Sequence, residues 1–119
     1  MSKVLYCTSD MRGDGGVYLI RAFDGSQVAF TLEGSESFTK KERIGLIALR
    51  DAVLSIQEEG GLIYTDSDYA YDCLRGGDHR KNKDVMHVLK SAMSRRVEVQ
   101  IVKKTDRLYK KLRKDLSLS

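Results

Sequence analysis

The sequence predicts an α/β domain with a mixed five-stranded sheet that is covered by helices. Three short β-prone runs come first, and an Asp-Gly turn separates the second run from the third. A long helical segment then leads to a fourth, almost wholly apolar strand, and further helices lead to a fifth strand. Because a helix joins the third strand to the fourth, the sheet is expected to be mixed rather than purely antiparallel.

The first three strands are predicted to be antiparallel. They cover residues 4–8, 17–22 and 27–32, and Asp24-Gly25 provides the hairpin turn between the last two. The glycine- and serine-containing segment 34–38 is predicted to be a loop.

Helices and strands alternate in the rest of the chain, and the whole order is βββ-α-β-α-α-β-α. The predicted elements are a helix over 39–58, a strand over 62–65, helices over 67–74 and 82–95, a strand over 97–102 and a helix over 105–115. Gly60-Gly61 ends the long helix. Leu108 and Leu112 are predicted to form the inner face of the last helix. No repeat or linker divides residues 1–119, so we expect a single domain.

Composition restricts the class of protein. The chain has 119 residues, no proline and 41% apolar residues, which is typical of a globular protein with a packed core. It contains no apolar stretch long enough to cross a membrane and no secretory signal, so a cytoplasmic location is expected by default. Cys7 and Cys73 form neither a disulfide framework nor, with His79 and His87, a metal-ligand spacing. Both cysteines are expected to be buried and reduced.

The two halves of the chain differ in charge. Residues 1–66 carry a net charge of −3, and residues 67–119 carry +7. This division suits a nuclease, which needs carboxylates for metal and cations for phosphate. It equally suits a solvated basic helix near the carboxyl end of the chain.

Several sequence strings resemble those of type 1 ribonuclease H, and the element order matches that family over essentially the whole chain. The most specific string is Ile-Tyr-Thr-Asp-Ser-Asp-Tyr at 63–69, which is similar to the end of the family's fourth strand. The strings at 82–85 and 99–103 are similar to the start of a later helix and to the fifth strand. Near the start, Ser9-Asp10 followed by the glycine-rich segment 13–16 is similar to the family's first hairpin.

This resemblance implies hydrolysis of the RNA strand of an RNA–DNA hybrid by a two-metal mechanism. Two Mg²⁺ or Mn²⁺ ions would be held by carboxylates from separate elements, because these ions prefer hard oxygen ligands. The family's four carboxylates map onto Asp10, Glu42, Asp66 and Asp106. All four are expected at the carboxyl end of the central strands.

Each of these positions has a second interpretation. A shifted register places Thr8 instead of Asp10 at the family's first position, and both side chains lie on the same strand face. Glu42 could complete a capping box with Thr39. Another alignment places Lys41 instead of Glu42 at the family's glutamate position. Asp66 could cap the helix that follows it, and Asp106 could stabilise the dipole of the last helix.

The sequence also departs from the family. Residues 102–106 leave no room for the histidine-bearing loop that often precedes the last helix. Asp68 replaces a glutamine that often contacts the hybrid, and the family's basic protrusion is reduced to Arg80, Lys81 and Lys83. An acidic side chain near phosphate would repel it.

Cations and hydroxyls nevertheless suggest where a nucleic acid would bind. Ser37 and Thr39 could hold a phosphate at the start of the long helix. The other candidates are Arg80, Lys81, Lys83, Lys103 and Lys104. The terminal basic run, 110–114, is expected on the solvated face of the last helix and could add affinity that falls with salt.

Three functions remain open at this point. The first is a metal-dependent nuclease that cuts RNA in hybrids. The second is a catalytically degenerate ribonuclease H-like domain that binds a nucleic acid or a protein. The third is a nuclease for another substrate, such as a DNA junction or a structured RNA. Convergence of all four carboxylates would separate the first from the second.

Overall fold

A computed structural model describes residues 3–119 and contains one five-stranded sheet. The strands are β1 (Lys3–Arg12), β2 (Gly15–Asp24), β3 (Gln27–Glu36), β4 (Gly61–Thr65) and β5 (Val97–Ile101). The helices are α1 (Lys41–Ile56), α2 (Asp68–Leu74), α3 (Lys83–Ala92) and α4 (Arg107–Leu118). The predicted order of elements is therefore confirmed.

The sheet is mixed, as the sequence predicts, with the strand order β3-β2-β1-β4-β5. β1 pairs antiparallel with β2, and β2 pairs antiparallel with β3. β1 pairs parallel with β4, and β4 pairs parallel with β5. The central parallel pair places Cys7 opposite Thr65, so the residues that follow, Thr8 and Asp66, lie side by side where β4 ends.

The two faces of the sheet are covered by different helices. On one face, alternate strand residues such as Leu5 and Ile20 are fully buried in a core that also contains the apolar stripes of α1 and α3. On the other face, Tyr6 and Leu19 belong to a smaller cluster with Leu112 of α4. Strand side chains alternate between faces, so Tyr6, Thr8 and Asp10 all belong to the side of the sheet that α4 covers.

Several predicted boundaries differ from those in the structure by a few residues, and two of them lie at the connection between β3 and α1. β3 continues to Glu36, so the first part of the predicted loop 34–38 is strand. α1 begins at Lys41, and its N-cap, Lys40, makes no side-chain capping bond. The capping box of Thr39 and Glu42 is absent because the Thr39 amide donates to the Asp14 carbonyl oxygen in the β1–β2 turn, at 3.0 Å. This amide is therefore not free to donate a hydrogen bond to the Glu42 carboxylate.

The inner face of α4 also differs from the prediction. Leu112 is fully buried, but Leu108 is 42% exposed. The buried residues are Tyr109, Leu112 and Leu116, which follow helical spacing. Arg113 stands one helical turn after Tyr109 and therefore faces the sheet rather than solvent.

The expectation for the two cysteines agrees with the structure. Cys7 and Cys73 are buried free thiols, and burial raises the pKa of Cys7 to about 12. Within residues 3–119, none of the helices has the length and apolar character of a membrane-spanning segment.

Candidate functional site

Asp66 lies at the centre of a hydrogen-bonded cluster at the end of β4. Its Oδ2 atom accepts a hydrogen bond of 2.6 Å from Thr8 Oγ1 and one of 2.7 Å from the Tyr109 hydroxyl. Ser67, rather than Asp66, caps α2 by accepting from the Ala70 amide. The N-cap interpretation of Asp66 is therefore wrong, and its carboxylate instead ties β1 and α4 to β4.

Arg113 supplies the positive charge of this cluster. Its Nη1 atom donates to Thr8 Oγ1 at 2.9 Å and to the Ser9 carbonyl oxygen at 2.8 Å. Its Nη2 atom lies 3.5 Å from Asp10 Oδ2. The guanidinium group therefore contacts Thr8 and Ser9 of β1 and lies close to the Asp10 carboxylate on the same strand.

The structure brings Thr8, rather than Asp10, into contact with Asp66. Thr8 is buried, and the β1–β4 register sets it level with Asp66. Asp10 lies two residues further along β1, where its Oδ1 atom accepts from the Met11 amide and its Oδ2 atom faces Arg113. Its side chain is 47% exposed. The residue beside Asp66 is therefore Thr8, as in the shifted register considered from the sequence.

Tyr109 is a second hydroxyl donor that the sequence reasoning missed. Burial, followed by the hydrogen bond to Asp66, raises the pKa of Tyr109 well above its ordinary value. The hydroxyl therefore keeps its proton at neutral pH and remains a donor to Asp66. The spacing of Tyr109 with Leu112 and Leu116 would have identified it as a buried face residue.

Asp106 has a structural role at the start of α4. Its Oδ1 atom accepts from the amides of Leu108 and Tyr109, which makes it the N-cap of the helix. Its Oδ2 atom accepts from the Tyr6 hydroxyl at 2.9 Å. Burial and this hydrogen bond raise the pKa of Tyr6. The interpretation of Asp106 as a residue that stabilises the helix start agrees with these contacts.

Glu42 is exposed in the first turn of α1 and lines a different cavity, described below. α1 approaches the Asp66 cluster one turn later, at Gly45. A Cβ atom on Gly45 would lie 2.7 Å from Ser67 Oγ and 3.5 Å from Ser9 Oγ. The helix residue that faces the cluster thus has no side chain, because there is no space for one.

These residues do not fit the divalent ions that the resemblance implies. Residues 3–119 contain no group of three or more His, Cys, Asp or Glu side chains that could hold a metal ion together. The Oδ2 atom of Asp66 accepts from two hydroxyl groups, which leaves Oδ1 as the oxygen of this carboxylate that an ion could meet. The positive guanidinium of Arg113 occupies the adjacent position.

A groove of about 880 Å³ lies between the start of α1 and the segment before α3. Its lining combines cations with aromatic rings and comprises Phe38, Thr39, Lys40, Glu42, Arg43, Tyr69, Asp78, Arg80, Lys81 and Asn82. We call it the Phe38 groove. Three of the residues predicted to bind nucleic acid, Thr39, Arg80 and Lys81, line it. Ser37 and Lys83 are exposed and lie outside this lining.

Ion pairs hold one side of the Phe38 groove in place. Arg43 contacts Glu36 at 2.8 Å and Asp84 at 2.8 Å, and it donates to Asn82 Oδ1. Hydrogen bonding to Arg43 holds the pKa of Asp84 well below its usual range. Arg80 pairs with Asp78. Among residues 3–119, no carboxylate pairs with Lys40 or Lys81, so their charges are available to a ligand.

Phe38 has an unusual conformation at the rim of this groove. It is 88% exposed, and its φ angle of 52° makes it the one non-glycine residue with positive φ in the part of the chain that the structure describes. A non-glycine residue in this left-handed region costs roughly 1–2 kcal/mol. Phe38 therefore presents its ring to solvent at the rim of the groove and does not pack into the core.

Lys103 and Lys104 are exposed in the short connection between β5 and α4. The connection is fixed at both ends, because the Val102 amide donates to the Thr65 carbonyl oxygen and the Asp106 amide donates to that of Lys103. These two lysines therefore lie beyond the end of β4, in the segment that leads into α4.

No family model matches the sequence, and no curated protein matches it. Solved structures with the same fold do match. LC11-RNase H1 in complex with an RNA/DNA hybrid has a TM-score of 0.74 and 12% identity, and the match covers 99% of this chain and 100% of that chain.

Two further structures match over nearly the whole length of this chain. One is the N-terminal RNase H domain of rv2228c from Mycobacterium tuberculosis, solved as a fusion with maltose-binding protein. It has a TM-score of 0.71 and 17% identity, and the match covers 96% of this chain and 91% of that chain. The protease–reverse transcriptase of prototype foamy virus has a TM-score of 0.73 and 12% identity, and the match covers 98% of this chain but 20% of the viral chain. The chain therefore has a ribonuclease H-like fold, as the sequence strings indicated.

Proposed function

We propose that this chain is a single ribonuclease H-like domain that binds nucleic acid, with an RNA–DNA hybrid as the best candidate, and does not hydrolyse it by a metal-dependent mechanism. The Phe38 groove carries the proposal, because it combines unpaired lysines with an exposed aromatic ring. The match to an RNase H1 in complex with a hybrid supports the choice of ligand.

The charges of the Phe38 groove suit a phosphate backbone. Lys40 and Lys81 can each neutralise a phosphate, and each neutralised phosphate releases counterions. The first amides of α1 receive no side-chain cap and add further donors at the same end of the groove. Glu42 and Asp78 lower the net positive charge of the lining, so affinity is expected to depend strongly on Lys40 and Lys81.

Phe38 supplies a contact of a different kind. A ring that is free of protein packing can stack on a base or a sugar, which is sequence-tolerant because every base has an aromatic face. A hybrid is recognised mainly by shape, phosphate contacts and 2′-hydroxyl groups. In the Phe38 groove the cations provide the phosphate contacts, and the ring adds an apolar contact with a sugar or an unstacked base.

The metal-dependent nuclease predicted from the family strings is the less favoured function. It needs carboxylates in mutual reach, whereas Asp66 is bound to hydroxyl donors and Asp106 caps α4. Glu42 lies in the Phe38 groove instead of the Asp66 cluster. Nuclease activity on hybrids, junctions or structured RNA is therefore an outcome that the experiments must look for, not the expected one.

The test is fluorescence anisotropy of a labelled RNA–DNA hybrid over a range of salt concentrations. The double variant Lys40→Ala/Lys81→Ala should bind more weakly, and the slope of log K against log salt should fall by about 0.9 for each phosphate that the variant no longer neutralises. The matched control is Lys90→Ala/Arg95→Ala, which removes the same charge from exposed positions outside the groove. Equally weakened binding in both double variants would contradict the assignment of the groove.

A further inference from the structure

From α4, the side chain of Arg113 contacts β1 at Thr8, Ser9 and Asp10. Its distances to oxygen atoms of these residues are 2.9, 2.8 and 3.5 Å, respectively. α4 is held on the same face by Tyr109, Leu112 and Leu116. The guanidinium is therefore fixed by packing of its own helix as well as by its hydrogen bonds.

The direction of each hydrogen bond in this cluster follows from the donors present. A guanidinium group has only donors, so the Thr8 oxygen accepts from Arg113 and must give its own proton to Asp66. Tyr109 gives its proton to the same carboxylate oxygen. The negative charge of Asp66 is thus opposed by the positive charge of Arg113 through one intervening hydroxyl group.

The arrangement leaves little for a divalent ion to bind. An incoming cation would find one oxygen of Asp66, Oδ1, because Oδ2 accepts from two hydroxyl groups, and it would approach a fixed positive charge. Thr8, which bonds to Asp66, and Gly45, which lies against Ser67 and Ser9, offer no carboxylate. Asp10 is the remaining acid, and Arg113 already faces it.

We infer that Arg113 takes the place of a metal ion in this fold. Its side chain is a covalently attached cation that pairs with Asp10, opposes the charge of Asp66 through the Thr8 hydroxyl, holds β1 to α4 and, together with that hydroxyl, excludes divalent ions from the site. The inference does not depend on nucleic-acid binding, because it concerns only the cluster at the end of β4.

The first arm of the test uses the unaltered protein. Backbone NMR spectra are recorded during titration with Mn²⁺, a paramagnetic ion that broadens nearby resonances, and the thermal midpoint is measured with and without Mg²⁺. We expect no selective broadening at Thr8, Asp10 or Asp66 and no shift in the midpoint. Selective broadening at these residues that disappears in Asp66→Asn would overturn the inference.

The second arm converts the site. The double variant Thr8→Asp/Arg113→Met adds a carboxylate beside Asp66 and removes the guanidinium while keeping an apolar stem. It should bind Mn²⁺ about tenfold more tightly or better than the unaltered protein, with broadening centred on residues 8 and 66. Its thermal midpoint should rise when Mg²⁺ is added, because an ion that binds only the folded state stabilises it.

Two controls complete the second arm. Thr8→Asp/Arg107→Met has the same net charge, but it removes an exposed arginine from the same helix and keeps Arg113, so it should not gain a site. Adding Asp66→Asn to the converted variant should abolish Mn²⁺ binding. A folded converted variant that binds no Mn²⁺ would contradict the role given to Arg113. If that variant does not fold, the first arm still decides the question.

Discussion

The Thr8 hydroxyl donates a 2.6 Å hydrogen bond to the Asp66 carboxylate, across the parallel pair of central strands. The resemblance to ribonuclease H implies a carboxylate-rich metal site at this place. The structure instead shows an acid with one oxygen bonded to two hydroxyl donors, one of which also accepts from an arginine. These hydrogen bonds hold β1, β4 and α4 together. The cluster is therefore expected to contribute to stability.

The change Asp66→Asn should therefore reduce stability rather than only activity. An amide cannot accept from Thr8 and Tyr109 with the strength of a carboxylate, so we expect the free energy of unfolding to fall by about 1–3 kcal/mol. Urea denaturation measures the change. The matched control is Asp72→Asn, at an exposed position of α2, which should change stability little. Equal effects from the two substitutions would contradict the account of the cluster.

Tyr109→Phe tests one hydrogen bond of the same cluster. The ring stays buried and the bond to Asp66 is removed, so stability should fall by about 1 kcal/mol. Tyr71→Phe provides the comparison, since the Tyr71 hydroxyl receives only an exposed bond from Arg75. Thermal and urea denaturation should rank Tyr109→Phe as the more destabilising change, and the reverse ranking would show that the bond to Asp66 contributes nothing.

Stability at alkaline pH should depend on Tyr18. Burial, together with the hydrogen bond that Tyr18 donates to Asp51, raises the pKa of Tyr18 from 10.0 to about 12. Because the folded pKa is the higher one, the contribution is complete below the unfolded pKa and is lost as the pH rises from about 10 to about 12.

The measurement is the free energy of unfolding between pH 8 and pH 12, chosen to span the titration of a tyrosine. Tyr18→Phe should reduce the loss of stability in the upper part of this range. Tyr6 and Tyr109 also have raised pKa values, so part of the loss will remain. A pH profile that is identical in the two proteins would show that Tyr18 does not titrate with folding.

Substitutions of Phe38 should separate stability from binding. Phe38→Gly removes a side chain that buries little surface and relieves the positive φ angle, so stability should rise by about 1 kcal/mol. Affinity for the hybrid should fall by about 1–3 kcal/mol if the ring stacks.

Phe38→Ala is the matched variant, because it removes the ring but keeps a Cβ atom in the left-handed conformation. It should weaken binding as much as Phe38→Gly without the gain in stability. Denaturation and anisotropy on both variants provide the two readouts. Unchanged affinity in both would remove Phe38 from the proposed interface.

Much of the fold could be predicted because it depends on local patterns. Alternating strands, the Asp-Gly turn and the helix-ending glycines predicted the order of elements, and the string at 63–69 placed Asp66 after a central strand. The boundaries were less accurate where tertiary contacts decide them. The start of α1 at Lys41, for example, depends on a bond between the Thr39 amide and a carbonyl oxygen in a distant turn.

The chemistry of the site could not be predicted in the same way. Whether Thr8 or Asp10 meets Asp66 depends on the register between β1 and β4, which strand alternation does not distinguish. The role of Arg113 depends on which face of α4 meets the sheet. Leu108 suggested one face, whereas Tyr109, Leu112 and Leu116 form the buried one. From the sequence alone, Arg113 is therefore expected to face solvent, like the lysines of the basic run 110–114.

The most direct test of the central claim is the binding and integrity of a labelled RNA–DNA hybrid in EDTA and in Mg²⁺. We predict the same saturable rise in anisotropy under both conditions, with the RNA strand intact at the end of each incubation. Cleavage of the RNA strand in Mg²⁺ by the unaltered protein, but not by Asp66→Asn, would contradict the claim and establish a metal-dependent nuclease.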